Sequence, residues 1–419
     1  MWIAVAVVAG ILVILALINL TSPTKVVRCD IEHLYGVGEP AFVRAMCSLL
    51  GPPLLEGNLV TPLYNGGQIF PAMLAAIAAA RATITFETYI YWSGEIGRKF
   101  SDALSERARA GVKVHVMLDW VGSGRMDASM LETMRAAGVE IEKFHPPRWY
   151  TVGRFNNRTH RKLLVVDGVV AFTGGVGIAD KWEGAAQDPD HWRDTHFRLE
   201  GPAVAQMQAA FLDNWLETRG AVLQGDPYFP AVRTRGNQFA QVFRSSATDA
   251  SESVRLMYLL SIASARSTIR IANAYFVPDD FGVQELVQAA QRGVKIELIV
   301  PGTHTDTLVV RAASRATWGK LLQAGIAIYE YQPTMYHVKV MIVDDQWTSV
   351  GSTNFDNRSF RLNAEANLNV LDAGFAAEQV RAFDADRGKS RQVTYQLWKK
   401  RPLRERLLER FSQLFSSQL

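Results

Sequence analysis

The sequence predicts an α/β protein of two like domains, each a mixed sheet flanked by helices, related by pseudo-two-fold symmetry and preceded by an N-terminal transmembrane helix. Three observations predict it: strand and helix patterns that recur in the two halves, a His-x-Lys strand closed by Asp in each half, and an apolar run at residues 2–20.

Composition sets the outer bounds. The 419 residues suffice for two domains with their own cores, and 48% hydrophobic against 21% charged residues excludes a disordered chain. A net charge of +4 fits an anionic partner such as phospholipid or nucleic acid. Cys29 and Cys47 are too few for a disulfide framework, and no C-x-x-C or H-E-x-x-H spacing occurs, so neither a metal nor another cofactor is expected.

The run "WIAVAVVAGILVILALINL" (2–20) would reach roughly 28 Å as a helix, close to a bilayer core. It lacks the basic start and small-x-small cleavage site of a signal peptide. Lys25 and Arg28 follow it, which places the remaining chain on the cytoplasmic side. Residues 1–24 therefore read as a single-pass anchor in the cell inner (plasma) membrane, and 25–54 as a membrane-proximal segment.

The body then repeats. "AARATITFETYIY" (79–91) matches "ASARSTIRIANAYF" (263–276), and "ARAGVKVHVMLD" (108–119) matches "AQRGVKIELIVP" (290–301). "AAGVEIEKF" (136–144) matches "QAGIAIYEY" (323–331) in the same way. The offsets stay close, Gly111 to Gly293 being 293−111=182 and His160 to His337 being 337−160=177. Each copy reads strand, helix, strand, helix, strand, giving domains at 55–222 and 251–396 with a Pro- and Gly-containing linker at 223–250. The tail, 397–419, sets Leu403, Leu407, Phe411, Leu414 and Phe415 on one helical face among basic residues. Such a helix suits either an anionic membrane surface or a place on its own domain.

Each copy ends in the pattern that carries chemistry: "THRKLLVVDG" (159–168) and "YHVKVMIVDD" (336–345). Side chains two apart on a strand leave the same face, so His160 projects with Lys162, and His337 with Lys339. Brought to one pocket, two imidazoles and two ammonium groups suit phosphodiester chemistry. One imidazole attacks phosphorus, the other protonates the leaving oxygen and deprotonates the incoming one, and the lysines neutralise the nonbridging oxygens. After the second strand, "SVGSTNFDNRSFRLNAEANL" offers Ser352 and Asn354 as phosphate donors and Glu365 to fix an imidazole tautomer; after the first, "HWRDTHF" offers Asp194. His33, His115, His145 and His304 read as surface or core residues. His191 and His196 flank Asp194, placed either to line the pocket or to serve the structure, and Glu87 stays outside the catalytic set.

These phrases, with "NRTHRKLLVVDG", "HWRDTHFRLEGPAV", "YFVPD", "GSTNFDNRSF" and "LNAEANL" in order, resemble the phospholipase D superfamily, and within it the bacterial cardiolipin synthases, over residues 55–419. The resemblance implies two phospholipase D-like domains sharing one active site, a covalent phosphohistidine and no metal. It marks His160, Lys162, Asp167, His337, Lys339 and Asp344 as the catalytic motif residues, with Ser352, Asn354, Asp194 and Glu365 in support. His160 is taken as nucleophile, the repeat leaving His337 as the alternative. Glu365 is expected to orient His337 and Asp194 to orient His160, while Asp167 and Asp344 fix local turns. In one departure, "GGVG" puts Gly175 at the position of Ser352 and Gly177 where many relatives have Asn, so the first half lacks a side-chain donor.

The expected function is a membrane-bound transferase that passes a phosphatidyl group from one phosphatidylglycerol to another, releasing glycerol. Its partners would be phospholipid and the lipid membrane, not nucleic acid, since the clearest basic cluster is the tail and not a groove with stacking aromatics. Phospholipid hydrolysis, or a nuclease of the same superfamily, uses the same residues and remains an alternative, as does a noncatalytic binder of anionic lipid.

Overall fold

The computed structural model describes residues 31–147, 156–246 and 253–413, with Gly10, Phe415 and Gln418. The run at 2–20 and the basic residues after it, on which the expected anchor and its orientation rest, lie outside the described residues, as does Cys29. Among the described residues no helix is long and apolar enough to cross a membrane.

After α1 (Pro40–Leu50), the first half runs β1 (Leu55–Tyr64), α2 (Asn65–Ala79), β2 (Thr83–Thr88), α3 (Glu95–Arg109), β3 (Lys113–Asp119), α4 (Ala128–Ala136), β4 (Glu140–Phe144), β5 (Arg158–Thr159), β6 (Leu163–Val166), β7 (Val170–Gly174), β8 (Thr195–Glu200) and α5 (Val204–Arg219). The second opens with β9 (Gln238–Ser245), α6 (Ser253–Ala263), β10 (Thr268–Asn273), β11 (Phe276–Val277), α7 (Asp280–Gln291), β12 (Lys295–Pro301), α8 (Leu308–Gln323) and β13 (Ala327–Tyr331). It continues with β14 (Lys339–Val343), β15 (Trp347–Gly351), β16 (Phe355–Asp356), α9 (Asn357–Arg361), β17 (Asn363–Leu371), α10 (Ala373–Arg387), β18 (Ser390–Val393), α11 (Tyr395–Lys399) and α12 (Leu403–Gln413). The repeated helix-to-strand corners turn on Gly111, Gly138, Gly293 and Gly325, with φ of 91°, 96°, 95° and 83°. Only glycine takes such angles without strain, which is why the same residue punctuates both copies.

Two expectations need correction. The segment read as a linker contains β9, whose alternating Phe239 to Phe243 stretch pairs antiparallel with both β17 and β1. Nor do the halves carry separate sheets. One sheet runs β18-β13-β12-β10-β14-β15-β17-β9-β1-β8-β7-β6-β2-β3-β4, with β5 attached to β17. From β13 inward and from β4 inward the order is the same, so the repeat becomes a palindrome about the β9–β1 join. Pairing there removes two edges that separate sheets would leave open.

Both faces of this sheet are covered, so its strands read as unbroken apolar runs. On β6, Leu163 and Val165 face a core shared by the two halves, whereas Leu164 and Val166 face the outer core of the first half. On β14, Val340 and Ile342 face the shared core, and Met341 and Val343 the outer core of the second half. The shared core also takes Met207, Phe211 and Trp215 of α5 and Phe375 and Phe383 of α10. That packing fixes the two His-bearing strands against one another.

Candidate active site

The two His-x-Lys motifs begin where each half reaches across to the other. β5 lies parallel to β17, pairing Arg158 with Asn363 and Thr159 with Ala364, and His160 N donates to Ala364 O at 2.9 Å. Symmetrically, Arg193 and Tyr336 form a parallel bridge, and His337 N donates to Arg193 O at 2.8 Å. Each histidine is thereby delivered beside the carboxylate of the opposite half.

The carboxylate pairing is therefore crossed, contrary to expectation. His160 Nδ1 bonds Glu365 Oε1 at 2.9 Å, and His337 Nδ1 bonds Asp194 Oδ2 at 2.7 Å. A carboxylate oxygen accepts, so Nδ1 carries the hydrogen in both rings and Nε2 carries the lone pair. Burial lowers His160 to about 4, and burial with the Lys339 charge lowers His337. Burial alone would raise Glu365 and Asp194, but the adjacent imidazoles and lysines hold both below the ordinary carboxylate range. The resting state is two neutral imidazoles on two carboxylates.

Lys162 Nζ donates to His160 O at 2.8 Å, and Lys339 Nζ to His337 O at 2.9 Å, with the His337 ring nitrogens 3.2 and 3.3 Å away. Burial depresses Lys162 to about 7 and Lys339 to about 8. Both keep donor capacity for an incoming anion. A cavity of about 590 Å³ opens here, lined by His160, Lys162, His337 and Asn354, with Tyr89, Trp92, Trp182, Trp192 and Tyr275 as aromatic walls. Asn354 Oδ1, buried, has no hydrogen-bond partner among the described residues.

Other expected site residues stand elsewhere. Ser352 is not on the cavity wall: its hydroxyl donates to Glu365 Oε2 at 2.5 Å. Asp167 and Asp344, grouped with the catalytic motif, sit at the far ends of their strands. Asp167 accepts from the N–H groups of Arg81, Ala82 and Thr83. Asp344 does the same for Arg266, Ser267 and Thr268. Both adopt left-handed φ, 52° and 51°, in the turn that follows each strand. His191 bonds Asp188, and His196 is buried behind the site; neither lines the cavity. Glu87, fully buried, bonds Asn214 and the Thr159 hydroxyl beneath β5.

The Gly-rich loop of the first half has its own solution. Trp182 Nε1 donates to Asp194 Oδ2 at 2.9 Å and so does for Asp194 what the Ser352 hydroxyl does for Glu365. A Cβ at Gly175 would fall 2.1 Å from Asp194 Oδ1, so the carboxylate occupies the room a serine would need. At Gly177 a Cβ would come within 2.7 Å of Ile90 and 3.2 Å of the Trp182 ring. Trp182 was missed because nothing in a lone tryptophan at this spacing signals a carboxylate donor. Arg161 and Arg193 were missed too. Buried, they cross the join, Arg161 to the carbonyls of Glu365 and Ser245 and Arg193 to Asp386. The cue was an arginine inside each crossing phrase, "HRK" and "HWRD".

A duplicated α/β sheet with two His-x-Lys strands meeting over crossed carboxylates defines a phospholipase D-like enzyme. The family model described as cardiolipin synthase, phospholipase D-like domain, matches residues 73–211 and 258–387, one span in each half. The chain belongs to that family. It is 34% identical over 376 residues to cardiolipin synthase 1 of Bacillus anthracis, covering 87% of this chain and 74% of that one. With the cardiolipin synthase of Geobacillus kaustophilus it shares 36% identity over 367 residues, 87% and 73% of the two chains. The crystal structure of phosphatidylserine synthase from Haemophilus influenzae has the same fold, with a TM-score of 0.69 at 14% identity over 90% of this chain and all of the other.

Proposed function

We propose that the protein is a membrane-bound cardiolipin synthase in which a phosphatidyl group passes from one phosphatidylglycerol, through a covalent phosphohistidine, to a hydroxyl of a second, and glycerol leaves. The observation that carries this reading is the pair of imidazoles with Nδ1 held by a buried carboxylate and Nε2 left for chemistry beside a lysine-bearing cavity. In the first step His160 Nε2 attacks phosphorus while the bond from phosphorus to the glycerol oxygen breaks, and protonated His337 gives that oxygen its proton. In the second, the acceptor hydroxyl gives its proton to His337, its oxygen bonds phosphorus, and the phosphorus–nitrogen bond breaks. Lys162, Lys339 and Asn354 hold the nonbridging oxygens. The phosphodiester charge offsets Lys339 and so favours the protonated His337 that the first step needs.

Transfer in place of hydrolysis follows from work at a lipid surface, where acceptor hydroxyls are concentrated and aromatic walls limit water. The apolar run at 2–20 would hold the chain in the inner membrane, with the body on the cytoplasmic side. α12 supports the same setting, since Leu403, Leu407 and Phe411 are exposed while Glu409 and Ser412 face inward.

The test is purified full-length protein in phosphatidylglycerol liposomes, with cardiolipin, phosphatidic acid and glycerol followed by mass spectrometry. Cardiolipin and glycerol should appear and fall at least about a thousandfold in His160→Ala and in His337→Ala. Phosphatidic acid as the only product would make the protein a hydrolase, and the absence of any histidine-dependent product would leave a lipid binder.

A further inference from the structure

Among the cationic groups that suit the cavity to a phosphate, one wall residue does the opposite. Asp306 lines the cavity from the loop between β12 and α8, whereas the corresponding loop of the first half, after β3, lines it through Arg125. A carboxylate accepts hydrogen bonds and offers none, so it repels a phosphodiester and answers a ligand group that carries O–H or N–H. Asp356, also on the wall, is engaged as the cap of α9, where it accepts from Ser359 N. Asp306 has no such task in the fold.

Its position is fixed beside the histidine that handles the alcohol oxygen. The Tyr275 hydroxyl donates to Asp306 Oδ2, and the Tyr275 ring stands edge-on to His337, the centroids 6.3 Å apart at 87°. Burial and the Asp306 charge hold the Tyr275 hydroxyl well above its ordinary range, so it keeps the proton it donates. Against the burial that lowers both, the Asp306 charge favours the protonated forms of His337 and Lys339. Among the described residues no cationic side chain pairs with Asp306 and nothing donates to its Oδ1. An oriented carboxylate with one oxygen left over thus faces the site. An ammonium headgroup would meet the like charges of Lys162, Arg125 and Arg358 on the same wall, which a neutral polyol would not.

We propose that Asp306, oriented by Tyr275, is a specificity-determining residue that accepts a hydrogen bond from the middle hydroxyl of the glycerol headgroup. The proposal rests on the transferase reading, in which His337 gives a proton to the leaving glycerol and takes one from the acceptor. The leaving glycerol and the acceptor headgroup both carry that hydroxyl on the carbon next to the one bearing the reacting oxygen. One carboxylate therefore reads both steps, and a headgroup without the middle hydroxyl leaves it unanswered.

The test is a competition in full-length protein. Dihexanoyl phosphatidylglycerol and dihexanoyl phosphatidyl-1,3-propanediol, which lacks only the middle hydroxyl, are mixed in equal amounts, and the initial ratio of glycerol to propanediol released gives the ratio of kcat/KM. Wild type should release glycerol about 30-fold faster, and Asp306→Ala should bring the two rates within about 3-fold of each other. An Asp306 that acted only through His337, or only steadied the fold, would on removal slow both donors alike or slow propanediol, the less acidic alcohol, the more. A ratio that holds or rises in Asp306→Ala therefore overturns the proposal. Titration calorimetry gives a second reading that does not need turnover. Protein inactivated by His160→Ala with His337→Ala should bind dihexanoyl phosphatidylglycerol about tenfold more tightly than the propanediol analogue, and equally once Asp306→Ala is added. Equal binding with Asp306 intact overturns the proposal. Tighter binding of dihexanoyl phosphatidylethanolamine than of the glycerol lipid, lost in Asp306→Ala, overturns it in favour of an ammonium ligand. Wild-type protein that releases neither alcohol would overturn the proposed function, while the titration would still decide the role of Asp306.

Discussion

Two lysines and one glycine decide how the site behaves. Burial holds Lys162 near 7 and Lys339 near 8 in the free protein, and the ammonium form is the one that neutralises phosphate. Raising pH removes first the proton that His337 must carry as acid, since burial and Lys339 lower it, and then those of the lysines, so kcat/KM should begin to fall before the lysines titrate and fall further between about pH 7 and 8.5, and the limb in kcat should lie higher because bound phosphate favours the cationic forms. On the acid side His160, lowered to about 4, stays neutral, so activity should persist to about pH 5 before the imidazole proposed as nucleophile is protonated. A pH–rate profile with its alkaline limb near 10 would mean that the lysines are not desolvated. At Gly175, restoring the serine of the other half should harm the enzyme. Its Cβ would displace Asp194 from bonds to His337, Trp182 and Thr195 N, and Gly175→Ser should cost about a hundredfold or more in kcat. Activity equal to wild type would show that the loop yields and that Asp194 need not be fixed.

Among the elements, the turn after each His-bearing strand separates holding from reacting. Asp344 accepts from three successive backbone N–H groups at 2.8 to 2.9 Å and from the Ser267 hydroxyl, tying β14 to the start of β10. Asp344→Ala should destabilise the protein by about 2 kcal/mol, measured by urea denaturation, with kcat at low temperature within about twofold of wild type. Unchanged stability with lost activity would return Asp344 to the chemistry. The repeat made these elements legible, because Gly111 with Gly293 and Gly138 with Gly325 mark the same corners, and the spacing of His160 to Lys162 gives their common face. The partner of each carboxylate was not legible. Glu365 follows the second motif and Asp194 the first, so proximity in sequence favours pairing within a half. It is the short parallel pairing of β5 on β17, and of Tyr336 on Arg193, that carries each histidine across. Strand β9 was hidden for a related reason, its polar flanks resembling a loop until β17 and β1 enclose it.

At the scale of the molecule, the C-terminal helix and the cavity wall share a neighbour, α8. α12 packs on α8, where Glu409 accepts from Arg401 at 2.7 and 2.8 Å and pairs with Arg315 at 3.4 Å. That inward anchorage turns Leu403, Leu407 and Phe411 to the outside, exposed by 67%, 57% and 57%. α8 begins with exposed Leu308 and Val309, which stand between Thr307 and Val310 on the cavity wall, and Gln418 beyond α12 reaches the same wall. α12 is thus docked on its own domain through one face while Leu403, Leu407 and Phe411 stand exposed on the other. A bilayer taking that face would hand lipid to the site without lifting the headgroup far from the interface. Leu407→Ser with Phe411→Ser should therefore raise the apparent KM for phosphatidylglycerol in vesicles about tenfold, since each apolar side chain withdrawn from lipid is worth roughly 1 to 2 kcal/mol. Activity toward monomeric dihexanoyl phosphatidylglycerol should change less than about twofold, because α12 contributes nothing to the histidines. Equal losses on vesicles and on the soluble lipid would mean that the helix steadies the fold and leaves the membrane to other parts of the chain.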